Sequence, residues 1–297
     1  MRTFLSGRQV IWSTWVVGAL LLLAIANSMV YGIVVPLSAL LLTLIPGTTP
    51  RGHRLIDRAD LFAIGGFYVA VIGLYRLAFG YFTVDSVAGL FLCFAAGLLV
   101  GVAGPIIYTV WGRGRSLRTL GFRADNWQQT ASLGLLFAAV QFSLTLLGYQ
   151  FPADPVDWVP LLVMSLTVGL FEAVFFRGFV QSRLTASFGP VVGVGGGAAL
   201  YALYHVGYGM GPSDMVFLFG LGVVYAVAFA VVRNLLVLWP LLTPVGGFYA
   251  NLSSGAIELP WMSILGFVDV LAVMAVIAVL ARRHERRSRR TPAAADR

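Results

Sequence analysis

Apolar residues arrive along this chain in long runs, without the alternation of an outer-membrane barrel strand or the single stripe of a soluble helix. The first run covers residues 10–46. As one helix it would be roughly 55 Å long at about 1.5 Å per residue, far beyond the ~30 Å hydrocarbon core of a bilayer. It is therefore expected to fold back near Asn27 and Ser28. A secretory signal is the alternative, because Arg2 and Arg8 precede a stretch ending in small residues at Ala24 and Ala26. The length of the apolar core and the second run directly behind it favour an uncleaved span. Further runs occupy residues 61–83, 87–111, 130–149, 158–177, 190–208, 215–232, 235–251 and 261–281. The pattern predicts an all-α polytopic membrane protein, a bundle of about 8 to 10 transmembrane helices.

Loop charge tests that count. With the N-terminus inside, the inner loops hold Arg51, Arg54 and Arg58, then Arg113, Arg115, Arg118 and Arg123, then Arg183, Arg233 and the tail from Arg282 to Arg290. The outer loops hold Asp85, Asp154, Asp157, Asp214 and Glu258 and no arginine. That asymmetry predicts both termini in the cytoplasm. Trp15, Trp111, Trp158, Trp239 and Trp261 fall near span ends, as interfacial anchors do. Residues 115–127 read as a short interfacial segment, and the chain divides into N-terminal spans with that segment (1–127), a transmembrane core (128–281) and a basic cytoplasmic tail (282–297).

Composition agrees. Hydrophobic residues make up 59% and charged residues 11% of the 297 positions, too little polar surface to cover a water-exposed globule. The net charge of +8 comes entirely from arginine, since no lysine occurs. Placed beside apolar runs, these arginines point to membrane lipids as partners and argue against nucleic acid. Cys93 lies within a run and reads as a small buried hydrophobe.

The informative residues are ionisable groups inside spans, each costing roughly 2.5 to 3.5 kcal/mol on insertion scales. They are Arg76, Glu172, Arg177, His205 and Asp269, joined by Gln141 and Asn251. Glu172 lies 16 residues before Phe188 and His205 lies 16 residues after Gly189, so a hairpin between them sets both at one depth. Asn251, 17 residues after Asn234, is expected at about the same level. Tyr201, Tyr204, His205 and Tyr208 follow helical spacing and share a face that suits a hydrated cavity. The glycines at 193 and 195–197 read as close-packing positions. A helix-packing network of Asn and His hydrogen bonds accounts for the same residues without any chemistry. Asp269 and Arg76 read most simply as an ion pair in the bundle interior.

Three motifs sharpen the choice. LFEAVFFRGFVQSRL (170–184), ALYALYH ending at His205 and GGFYANL ending at Leu252 resemble the CPBP family, which comprises type II CAAX prenyl endopeptidases and bacteriocin-processing or immunity proteins and whose members are intramembrane glutamic proteases. The resemblance covers roughly residues 130–281. It implies that Glu172 is the catalytic glutamate, that Arg177, Tyr201 and His205 match the family arginine and the aromatic and histidine of the second motif, and that Asn251 matches the final asparagine. It also implies a multi-pass protein of the bacterial plasma membrane, without cofactor, acting on a peptide or protein at the inner leaflet. Two positions depart from the pattern: Ala173 stands in place of a second glutamate and Gly247 in place of a histidine. Without an acid at 173, four residues before it, Arg177 is expected to reach Glu172, a lipid phosphate or water.

Hydrolysis in a membrane needs a water, a base and oxyanion donors. Glu172 suits the base, His205 the orientation of the water or the shuttling of its proton, Asn251 the oxyanion, and Arg177 the positioning of Glu172 or of a substrate carboxylate. Tyr201, Tyr204 and Tyr208 would line the substrate cavity. A metal is not expected, since His53, His205 and His284 are far apart in the topology. The rival classes are a catalytically degenerate immunity or scaffold protein and a small proton-coupled transporter.

Overall fold

A computed structural model describes residues 5–48, 55–83, 86–146, 158–254, 259, 261 and 263–290, and among these it is helical without strands. The helices are α1 (Gly7–Leu22), α2 (Ser28–Thr43), α3 (Arg58–Phe82), α4 (Ala88–Gly112), α5 (Trp127–Leu146), α6 (Val159–Phe188), α7 (Pro190–Tyr204), α8 (Pro212–Val232), α9 (Leu242–Ser254) and α10 (Ser263–Arg290). Among the described residues, α3, α4, α6, α8 and α10 are long and apolar enough to cross a membrane.

The first apolar run folds back where its sequence breaks. The Asn27 side chain accepts a hydrogen bond from the Val30 N–H, satisfying one of the free donors at the start of α2. Ser6, Asp57 and Ser86 cap α1, α3 and α4 in the same way. The side of α2 that carries Gly32 packs on α8, and a Cβ at Gly32 would fall 2.2 Å from the Val216 carbonyl oxygen. Lipid tails are as apolar as these side chains, so such contacts stabilise the bundle by packing rather than by hydrophobic drive.

The loops assigned by charge to one side do meet at one end. The Leu55 N–H donates to the Ala186 carbonyl, Asn234 donates to the Arg123 carbonyl, Gln9 donates to the Val231 carbonyl, and Glu285 accepts from Ser116 and from the Leu117 N–H. Residues 115–127 contain a single 3₁₀ turn, Leu117–Leu120, between irregular stretches.

Two features were not foreseen. After Glu172, α6 widens into π-helix over Ala173–Gln181 before resuming as α-helix. Nothing in the local sequence breaks the pattern there; the wider turn packs Phe175, Phe176 and Phe179 fully inward. The run 235–251 is helical only from Leu242, because Arg233 takes a left-handed conformation and Leu235–Val237 forms a 3₁₀ turn. That turn enters the bundle, where Val237 and Leu238 are fully buried and the Leu235 N–H donates to the Gly121 carbonyl.

Candidate active site

One of four π-helical stretches among the described residues, Ala173–Gln181, begins at the residue after Glu172. A π-helix bonds residue i to i+5, so Glu172 and Arg177 fall one turn apart on one side of α6. Glu172 is half-buried and Arg177 is 2% exposed.

From α7, the Tyr204 hydroxyl donates to Glu172 Oε1 at 2.6 Å. The residue count paired Glu172 with His205; the side chain that bonds the carboxyl is that of Tyr204, the residue before it. Tyr201 faces the same carboxyl. His205 opens a 3₁₀ turn, His205–Tyr208, at the end of α7 and is buried. Its ring lies 4.1 Å from that of Tyr204, centroid to centroid. His205 Nδ1 is 2.9 Å from the Tyr201 carbonyl oxygen. A carbonyl only accepts, so Nδ1 carries the proton and the neutral ring keeps its lone pair on Nε2. Tyr208 completes the stripe against Tyr75 of α3, with ring centroids 4.7 Å apart.

Arg177 does not pair with Glu172 by a hydrogen bond. Its guanidinium carbon lies 4.8 Å from the Tyr201 ring centroid, and both terminal nitrogens are buried with no hydrogen-bond partner among the described residues. Of the partners expected for it, Glu172 is within electrostatic reach without a hydrogen bond, and the Tyr201 ring face adds a cation–π contact.

The common level expected for Asn251 does not hold. Thr243 Oγ1 donates to the Gly169 carbonyl, and the Phe248 ring lies tilted against that of Trp158 with centroids 5.7 Å apart, so α9 runs antiparallel to α6 and away from Glu172. Asn251 lies eight helical residues past Thr243, about 12 Å further along the axis. The count from Asn234 fails because the turn at 234–241 is inserted in the bundle instead of lying at its end. The Asn251 side chain lies outside the described residues, as does that of Asp269. Arg76 is exposed on α3, so no interior pair is built on it. Among the glycines of α7, Gly193 and Gly197 pack against Thr185 and Gln181, whereas Gly195 faces open space.

One contributor escaped the sequence reading. Tyr225 of α8 is buried and shares hydrogen bonds with Gln141 of α5 at 3.2 and 3.3 Å, close under Gly246 of α9. Its signal was position: a tyrosine in the middle of a span, far from the headgroup level where such rings usually sit. Among the described residues no group of three His, Cys, Asp or Glu side chains could hold a metal ion.

No curated protein and no solved structure matches the chain. Against models of protein families, residues 154–241 match the one described as Rce1-like, type II CAAX prenyl endopeptidase Rce1-like. The matched stretch contains Glu172, Arg177, Tyr201, Tyr204, His205 and Tyr208 and ends before Gly247 and Asn251. The CPBP resemblance of the motifs is thus also found by the family model, and over residues 154–241 this multi-helix membrane chain is similar to the Rce1-like type II CAAX prenyl endopeptidases, a family of proteases.

Proposed function

We propose that the chain is an intramembrane endopeptidase that hydrolyses a peptide bond of a lipidated or membrane-associated peptide, with Glu172 as the base. The observation that carries this reading is the half-buried Glu172 carboxyl, held by the Tyr204 hydroxyl, with the His205 imidazole against the ring of the same tyrosine. Glu172 takes a proton from water as the water oxygen bonds to the scissile carbonyl carbon. His205 Nε2 orients that water or relays its proton. As the C–N bond breaks, the same proton passes to the leaving amine, which restores Glu172. Tyr204 keeps its single hydroxyl hydrogen on Glu172, so Tyr201 is the hydroxyl donor for the oxyanion, a task for which Asn251 is poorly placed. Arg177 acts as a positioning residue through the Tyr201 ring.

We place the arginine-rich end in the cytoplasm, facing anionic lipid at the inner leaflet of a bacterial plasma membrane, because positively charged loops are retained on that side. The test is cleavage in proteoliposomes. The purified chain should cut lipid-tethered peptides, and the Glu172→Gln chain should do so about 10² to 10⁴ times more slowly.

Ala173 and Gly247 favour a second reading, a degenerate immunity or scaffold protein. Under that reading Glu172→Gln leaves the biological phenotype intact and no peptide is cut by either chain.

A further inference from the structure

The last helix, α10, is longer than a bilayer's hydrocarbon core is thick. Its apolar part, residues 263–281, spans roughly 28 Å at about 1.5 Å per residue, which already fills that core. The helix then runs on through residues 282–290, which therefore stand at headgroup level. Trp111 of α4, a ring of the kind that sits at that level, meets the His284 ring there with centroids 5.6 Å apart. Among residues 282–290 Glu285 is the one acid, against six arginines.

Glu285 is turned towards the bundle. Its Oε1 accepts from the Leu117 N–H, a free donor at the start of the 3₁₀ turn Leu117–Leu120, and its Oε2 accepts from the Ser116 hydroxyl at 3.2 Å. That turn backs directly onto α6. A Cβ at Gly178, the residue after Arg177, would fall 2.5 Å from the Leu120 carbonyl oxygen, and Arg183 donates to the Thr119 hydroxyl at 3.3 Å. A single turn of chain thus separates the tail from the helix that carries Glu172. The remaining faces of the tail carry Arg282, Arg283, Arg286 and Arg287, all exposed. Like charges three and four residues apart repel along a helix, and one carboxylate does not offset them. Anionic headgroups lie at the depth where these side chains end, and arginine is attracted to such a surface over about a Debye length.

We infer that residues 282–290 are an anionic-lipid latch: headgroup phosphates offset the arginine charge and so keep Glu285 seated on the 116–120 turn, which braces α6 at Gly178. In a membrane without anionic lipid the arginines are uncompensated and the tail lifts from the turn. That the latch regulates cleavage rests on the reading of Glu172 above. The latch itself does not, and its test needs no cleavage.

Hydrogen exchange of the full chain tests it, in nanodiscs of phosphatidylcholine alone and of phosphatidylcholine mixed with phosphatidylglycerol. The amides of residues 117–121 should exchange about tenfold faster without the anionic lipid, while those of α8 keep one rate, since a latch opens locally. Glu285→Ala should show the fast rate in both membranes. A chain carrying Arg282→Gln, Arg283→Gln and Arg286→Gln should show one rate whatever the lipid. Equal exchange of the native chain in the two membranes overturns the latch, as does slow exchange in Glu285→Ala. A lipid dependence that survives the three arginine substitutions overturns it too, as does an equal change throughout α8, which would mean that the whole bundle loosens. Recovery of the slow rate by inorganic phosphate in phosphatidylcholine discs would make the ligand a soluble anion and overturn the membrane as its source.

Discussion

The bundle buries arginine in two places and treats it in opposite ways. At the arginine-rich end, charge is matched by charge. Arg115 bridges Asp60 at 2.6 Å and Asp57 at 2.7 Å, Arg113 joins Asp57 at 2.5 Å, and Tyr108 donates to Asp60 at 2.9 Å. Arg183 adds Thr109 and Thr119 as acceptors and stands 3.7 Å from Asp60. Around Glu172, by contrast, Arg177 rests on a ring face and the carboxyl takes its hydrogen bond from a neutral hydroxyl. A network of paired charges holds helices together, although Arg183 Nε has no hydrogen-bond partner among the described residues. The site around Glu172 has no such carboxylate–guanidinium bond, which keeps a base and donors available, and the surrounding aromatic packing offsets its cost.

Removing a charge at the arginine-rich end should cost the most stability. Asp60→Asn leaves Arg115 and the buried Arg183 without their shared carboxylate and should destabilise the chain by about 3 kcal/mol, read from detergent-induced unfolding. If Asp60→Asn is as stable as the native chain, the end is not held by its ions and the contrast fails.

The mid-bundle site should respond in rate more than in stability. Tyr204→Phe keeps the ring and removes one hydroxyl from Glu172, so cleavage of a tethered peptide is expected to fall roughly tenfold, the equivalent of one hydrogen bond of about 1.4 kcal/mol. An unchanged rate would separate Tyr204 from the chemistry.

Acid should distinguish the two regions more gently. Partial burial pushes the Asp57 carboxyl up, but the Asp60 N–H, Arg115 and Arg113 together outweigh it and hold the carboxyl below the usual carboxylate range. The Arg123 hydrogen bond first, and then a backbone N–H, pull Asp125 down to about 2. A carboxylate lowered on folding contributes stability that is present above its unfolded value of about 3.9 and is lost as pH falls through the folded value. Hydrogen exchange at residues 55–60 and 113–125 should therefore rise as pH drops from roughly 4 towards 2. No rise over that interval would mean that these ion pairs do not order the turn.

The smallest effect belongs to Gly247. A Cβ there meets no atom of the described residues within 4 Å, so Gly247→His should change stability by less than about 0.5 kcal/mol. A larger loss would mean that α9 packs more tightly at this position than its backbone placement allows.

The sequence made the helical class legible because spans must be long, apolar and separated by signed loops. It placed Glu172 level with His205, one residue from the Tyr204 that bonds the carboxyl, because that hairpin turns at its end and counting residues measures depth. The same count misplaced Asn251, since the turn after α8 is tucked into the bundle, and burial of a turn leaves no mark in hydropathy. The exposure of Arg76 and the role of Tyr225 were hidden for a related reason: periodicity states that a residue is in a span but not which neighbour it meets. The π-helical stretch at Ala173–Gln181 was not legible either, since the local sequence carries no mark of it.

The most direct measurement pairs rate with stability in Glu172→Gln. Gln preserves shape and still accepts the Tyr204 hydrogen bond but cannot serve as a base. Cleavage of a lipid-tethered peptide should drop about 10² to 10⁴-fold while resistance to unfolding stays within about 0.5 kcal/mol of the native chain. A Glu172→Gln chain that cuts at the native rate, or one whose only change is a loss of stability, would contradict the account and leave the residue as part of the packing.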